Sequence, residues 1–157
     1  MPFSYVSGDP LLTRAQTLAF AYNAKGRVEL DSLASTLAQR HPAAFATYGK
    51  QCRGQRIKPG QIWLWHEASP RLLFMVVRDT PMGIMRLRHV DSTLLLLARD
   101  YRLYGINSVA LVLPGTDSEK NQVKPLVRQW LEQSALPVVV YETYQSGAQA
   151  DESALDL

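Results

Sequence analysis

The stretch Ile106-Asn-Ser-Val-Ala-Leu-Val-Leu-Pro-Gly115 decides how the rest of the chain is read. Ser108 to Leu113 is almost wholly apolar and rich in β-branched residues, and Gly105 closes the element before it. A short apolar run bounded in this way predicts a strand covered on both faces, as in the middle of an α/β sheet. Its last residues run into Pro114-Gly-Thr-Asp-Ser-Glu119, a loop at the carboxyl end of a strand. Open α/β sheets bind ligands in the crevice outside such ends. The fold therefore offers a place for a ligand before any ligand can be named.

Outward from that strand, the next element begins near Asp117 or Ser118, and Val123, Leu126, Val127, Trp130 and Leu131 recur at helical spacing and predict a helix near residues 121–134. Leu136-Pro137 ends it, and Val138 to Tyr141 reads as the last strand. In the other direction, Asp91 is a plausible N-cap for a helix running to Tyr104. Earlier strands are expected at residues 3–6, 18–22, 62–66 and 72–77, the last two joined in hairpin fashion around Ala68-Ser-Pro70. Asp31 caps a helix through about Arg40, and Pro42 opens another that ends by Gly54. Strands alternating with helices in this way make the fold class α/β, with a mixed sheet because of the middle strand pair.

A chain of 157 residues is one domain by size, with 46% hydrophobic and 20% charged residues, an ordinary globular composition. No apolar run approaches the roughly 20 residues that span a bilayer, so no membrane role is expected. The first residues lack a basic region followed by an apolar block, so no signal peptide is expected either. Cys52 is the sole cysteine, which excludes an internal disulfide and points to the cytoplasm. Gln145 to Leu157 holds Asp151, Glu152 and Asp156 with no Lys or Arg, and reads as an acidic tail without fixed structure. Without it, 17 basic face 11 acidic residues, about +6, which suits an anionic partner such as a nucleotide or a nucleic acid. Arg53, Arg56 and Lys58 form one basic cluster, and Arg86, Arg88 and His89 another.

Chemistry is sparse. His41, His66 and His89 lie in three segments without metal-ligand spacing, so no metal is expected. Cys52, on an apolar helix face beside Tyr48, reads as a core thiol. Trp63 and Trp65 share one face of a strand, where packing beneath a helix is their commoner use. Asp79 follows an apolar strand, but no base or nucleophile partner can be named for it. Gly8-Asp9 is more suggestive, because an aspartate held just after a first strand can accept a hydrogen bond from the exocyclic amine of an adenine. The same dipeptide, followed by Pro10, also makes an ordinary turn.

Taken together, Gly8-Asp-Pro-Leu-Leu12, Asn23-Ala-Lys-Gly26, Pro42…Tyr48…Cys52, Pro59-Gly60, Asp79-Thr-Pro81, Tyr104-Gly-Ile-Asn-Ser-Val-Ala110, Val123-Lys-Pro-Leu126 and Val140-Tyr-Glu142 fall in a familiar order. The order resembles that of macro domains, most of all the branch of DNA ADP-ribosyl glycohydrolase antitoxins. The resemblance covers about residues 3–142 and implies a three-layer α/β/α sandwich with a mixed sheet that binds ADP-ribose. It implies a macro-like domain over residues 1–144, followed by the acidic tail over residues 145–157.

Carried over residue by residue, the resemblance puts Asp9 at the adenine and Asn23 near the distal ribose. Gly26, Gly115 and Thr116 would stand beside the ligand. The departures concern catalysis. The earlier asparagine of the family's strand end is replaced near Phe20, and the first glycine loop by Val28-Glu-Leu-Asp-Ser32. The family's lysine segment is Thr80-Pro-Met-Gly83, and the second glycine loop is reduced to Leu113-Pro-Gly-Thr-Asp-Ser118. Asp117 is the weak candidate left for catalysis. The expected function is thus a degenerate macro-like domain that binds ADP-ribose or a related adenine nucleotide without efficient hydrolysis, using no cofactor. The alternatives are a protein- or nucleic-acid-interaction module acting through the basic surface, and a residual glycohydrolase.

Overall fold

The computed structural model describes residues 3–156. Six strands form one sheet: β1 (Phe3–Gly8), β2 (Thr17–Asn23), β3 (Ile62–Trp65), β4 (Arg71–Arg78), β5 (Val109–Val112) and β6 (Val138–Tyr144). Their spatial order is β1-β6-β5-β2-β4-β3. Every neighbouring pair is parallel except β3 with β4, so the sheet is mixed as expected. Four helices complete the fold: α1 (Ser32–Arg40), α2 (Pro42–Arg53), α3 (Leu87–Asp100) and α4 (Asp117–Val127).

The central strands are buried on both faces, and their alternation assigns each residue to a layer. Leu18, Phe20 and Tyr22 of β2 and Leu72, Phe74 and Val76 of β4 turn toward α1 and α2. Ala19, Leu73, Met75, Val77, Val109 and Leu111 turn toward α3 and α4. Two apolar cores on opposite faces of one sheet make a three-layer α/β/α sandwich. The first core is aromatic: Phe74 stacks on Tyr48 at 4.2 Å and meets Phe20 and Phe45 at 4.7 and 4.9 Å. Trp63 and Trp65 stack on each other at 6.0 Å in that layer, Trp63 edge-on to Tyr48, so they pack beneath α2.

One helix start differs from expectation. α3 begins at Leu87, four residues before Asp91, with Arg86 at its N-cap and no side-chain capping bond. Asp91 accepts instead from the indole Nε1 of Trp130 at 2.7 Å, tying α3 to the segment after α4. α4 begins at Asp117 behind a capping box, Thr116 accepting from the Glu119 amide and Glu119 from the Thr116 amide. Pro125 lies inside α4, where it lacks a donor and crowds the preceding turn; the α-helix ends at Val127 and widens into a π turn over Arg128–Glu132. The predicted stripe persists through this change, with Val123, Val127 and Leu131 fully buried.

The acidic tail, expected to lack fixed structure, lies against the body. Its described residues fold back beside β1, and Glu152 is buried. That carboxylate accepts from Thr13 Oγ1 at 2.5 Å, the Arg14 amide at 2.8 Å and the Tyr141 hydroxyl at 2.6 Å. Three donors already held by the body compensate the burial of one charge. Composition alone could not show this, because Thr13 and Arg14 lie at the other end of the chain.

Among the described residues no helix is long and apolar enough to cross a membrane.

Candidate functional site

β2 and β5 are neighbours, yet their continuations part. The chain after β2 passes to the α1–α2 layer, and the chain after β5 passes to the layer of α3 and α4. This is a topological switch point, and a crevice opens between the two carboxyl ends. It holds a cavity of about 690 Å³, within the range of small-molecule sites. Phe20 and Ala21 of β2 with Val112 of β5 and Leu113 just after it line its base. One wall is the segment from Glu29 into α1, a second the loop Pro81–Met85 after β4, and a third the run from Pro114 to Lys120. Tyr144, opposite Gly8 in the β1–β6 ladder, stands at the far end.

The first turns of α1 and α4 both border this space, and helix N-termini favour anions. Their partial charge is largely answered from within the chain. Asp31 caps α1 through the Ala34 amide at 2.8 Å, and Glu119 accepts from Thr116 at 2.8 Å. Glu29 is bound by Arg78 at 2.5 Å and by the Asn23 amide at 3.0 Å. Burial pushes the Glu29 carboxyl above the ordinary range, against the opposing pull of Asn23 and Arg78. Lys120 donates to the Glu142 carbonyl at 2.6 Å. The mouth is apolar, with Leu30, Met82 and Ile84 at 87%, 85% and 75% exposure.

The expected site residues divide into those on the cavity and those away from it. Gly115 and Thr116 line it. Gly115 adopts φ +104 so that the β5–α4 loop can turn close to α4; an added Cβ would stand 2.8 Å from that of Glu119. Asn23 is fully buried outside the cavity. Its amide donates to the Arg27 carbonyl and Glu29, and its oxygen accepts from the Lys25 and Arg27 amides, which shapes the loop that carries Glu29. Gly26 sits against α2, where a Cβ would come 2.8 Å from the Gly49 Cα. Asp9 is buried beyond Tyr144, its Oδ1 accepting from the Leu11 amide and its Oδ2 from the Gly147 amide. Asp117 is exposed on the first turn of α4, off the cavity wall. Sequence reasoning missed Glu29 with Arg78, because nothing in either segment marks them as partners 49 residues apart.

The histidines remain apart, and among the described residues no group of three or more His, Cys, Asp or Glu could hold a metal. Cys52 is buried beside Tyr48 and Gly26; burial pushes its thiol up, against the pull of nearby Arg53 and Lys25.

No protein-family model matches the chain, and a search of curated protein sequences finds no match. Solved structures do match. The macrodomain of Thermus aquaticus DarG superposes with TM-score 0.80 at 21% identity, over 89% of this chain and 97% of that one. Thermosipho africanus DarTG, solved with ADP-ribose, also reaches 0.80 at 21% identity, over 96% of this chain and 43% of that longer one. A Trypanosoma brucei macrodomain, again solved with ADP-ribose, reaches 0.64 at 13% identity, over 98% of this chain and 66% of that one. Parallel strands, one antiparallel edge and helices on both faces meet here in a single topology: the chain has the macrodomain fold.

Proposed function

We propose that the crevice between β2 and β5 binds ADP-ribose or a related adenine nucleotide without efficient hydrolysis, in a cytoplasmic setting. The observation that carries the reading is the nucleotide-sized cavity at the switch point, bordered by two helix N-termini, in a fold whose relatives include two solved with ADP-ribose. The absence of hydrolysis is supported by the employment of the acidic groups on the walls. Glu29 is held by Arg78 and Asn23, Asp31 caps α1, and Glu119 closes the α4 capping box. A carboxylate already bonded in this way is poorly placed to activate a water.

Titration calorimetry with ADP-ribose tests the binding. Saturable heat is expected, and Val112→Trp, which fills the base of the cavity from a half-buried position, should weaken it at least about tenfold, the loss expected when a pocket is sterically filled. No heat at millimolar ligand would reject the reading. Release of ADP-ribose from modified DNA or protein at enzymatic rates would reject its non-hydrolytic half.

A second reading has its own observation. Gly60 lies against His89 and Ser92, which brings the Lys58 end of one basic cluster to the Arg86–His89 end of the other. Lys25, Arg53, Arg56, Lys58, Arg86 and Arg88 are exposed and join no ion pair among the described residues. This band would suit the backbone of a nucleic acid.

A further inference from the structure

The tail that follows β6 meets the body at one informative place. Gln145 donates its amide to the Gly8 carbonyl at 2.9 Å, and a turn closed by Ala148 N to Gln145 O at 3.0 Å sets the chain directly over Gly8-Asp9. There the Gly147 amide donates to Asp9 Oδ2 at 2.8 Å, while the Ala148 carbonyl accepts from the Asp9 amide at 2.6 Å. The fit is close: a Cβ on Gly8 would stand 2.8 Å from the Ala148 oxygen and 2.9 Å from the Ala150 Cβ. An adenine offers the same pair along its edge, an exocyclic amine that donates beside a ring nitrogen that accepts. The tail thus presents to Asp9 a donor and an acceptor in the pairing by which the base would be read.

We propose that the segment from Gln145 to Asp156 is a built-in occupant of the base end of the cleft, and that it competes with adenine for Asp9. The segment is latched at its far end by buried Glu152, held by Thr13, Arg14 and Tyr141, and at its start by the Gln145 amide on the Gly8 carbonyl, next to Tyr144, which borders the open cavity. With the strap in place, the cavity takes the ribose-phosphate part of a ligand and leaves the base unread. When the strap lifts, Asp9 is uncovered and selectivity for adenine appears. The Asp9 amide has a single hydrogen, given to the Ala148 carbonyl, so base and strap cannot both take it. The inference rests on the nucleotide reading of the cleft and specifies which part of the nucleotide is recognised.

The test compares ADP-ribose with ribose 5-phosphate on the full chain, on a chain ending at Gln145, and on the full chain with Glu152→Gln, which loosens the latch without removing the strap. Thermal melting checks that each is folded. The affinity ratio of ADP-ribose to ribose 5-phosphate is expected to rise about tenfold on shortening, as two hydrogen bonds to the base become available. It should rise less in Glu152→Gln, and Asp9→Ala in the shortened chain should abolish the gain. If the shortened chain fails to fold, the Glu152→Gln ratio decides. Ribose 5-phosphate binding with an unchanged ratio would overturn the strap alone. An absence of binding by either ligand to every form would overturn the nucleotide reading and the strap with it.

Discussion

At the scale of single residues, the site is governed by what buried polar groups have available as partners. Glu29 is 6% exposed and faces Arg78 and Asn23. Burial raises its folded pKa more than those partners lower it. A carboxyl whose folded pKa exceeds its unfolded one binds its proton more tightly in the folded chain. The resulting stabilisation is full below about pH 4.3, the unfolded value, and is lost as pH rises through the folded pKa. Glu29→Gln should therefore flatten the stability curve from the ordinary glutamate range upward, by up to about 1.4 kcal/mol per pH unit of that window. Urea midpoints taken across it would read the difference, and equal slopes in both proteins would contradict the shift. Asn23 shows how far sequence reading reached at this scale. An asparagine at a strand end is visible in the sequence, but its use as the organiser of its own loop is not, because its four side-chain hydrogen bonds form only when the chain turns back on itself.

At the scale of elements, the walls of the cavity are the starts of helices, so their caps matter twice. The capping box of α4 holds the Thr116–Glu119 turn that borders the cavity. Thr116→Ala removes the acceptor for the Glu119 amide and should cost about 1 kcal/mol of stability. A denaturant midpoint indistinguishable from wild type would show that the turn is held by Gly115 and the packing around it. Helix starts were legible at Asp31 and Pro42, where a local cap or a proline marks them, and less so for α3. Asp91 looked like a cap because aspartate favours that position, but tertiary packing gave its carboxylate to Trp130 and let α3 begin at Leu87. Strands were more legible, since double burial demands continuous apolar runs and few other elements do.

At the scale of the whole molecule, segments far apart in sequence acquire shared properties. The two basic clusters are separate in the chain and become one band where Gly60 packs on His89. If the band contacts a single-stranded oligonucleotide through six cations, the logarithm of affinity should fall with the logarithm of salt at a slope of about −4. Double reversal of Arg53 and Arg56, or of Arg86 and Arg88, should weaken retention by similar factors of about tenfold and make the slope shallower. Arg102→Glu, beyond the opposite end of α3, serves as the control. Retention unaffected by either double reversal would remove the nucleic-acid reading.

By itself, the sequence determined the α/β class, the mixed sheet and the burial of the central strands, because hydrophobic periodicity and strand-bounding glycines are local signals. The order of its short motifs pointed to the macrodomain fold. Only the tertiary structure decided which of the expected residues meet the cavity. Gly115 and Thr116 line it, while Asn23, Gly26 and Asp9 are engaged by the chain's own loops, helix and tail. It also decided where the acidic tail lies, since Glu152 draws its donors from Thr13, Arg14 and Tyr141. The physical reason is common to these cases. Apolar patterning is written along the chain, whereas the pairing of a buried donor with its acceptor depends on distances that exist only after folding.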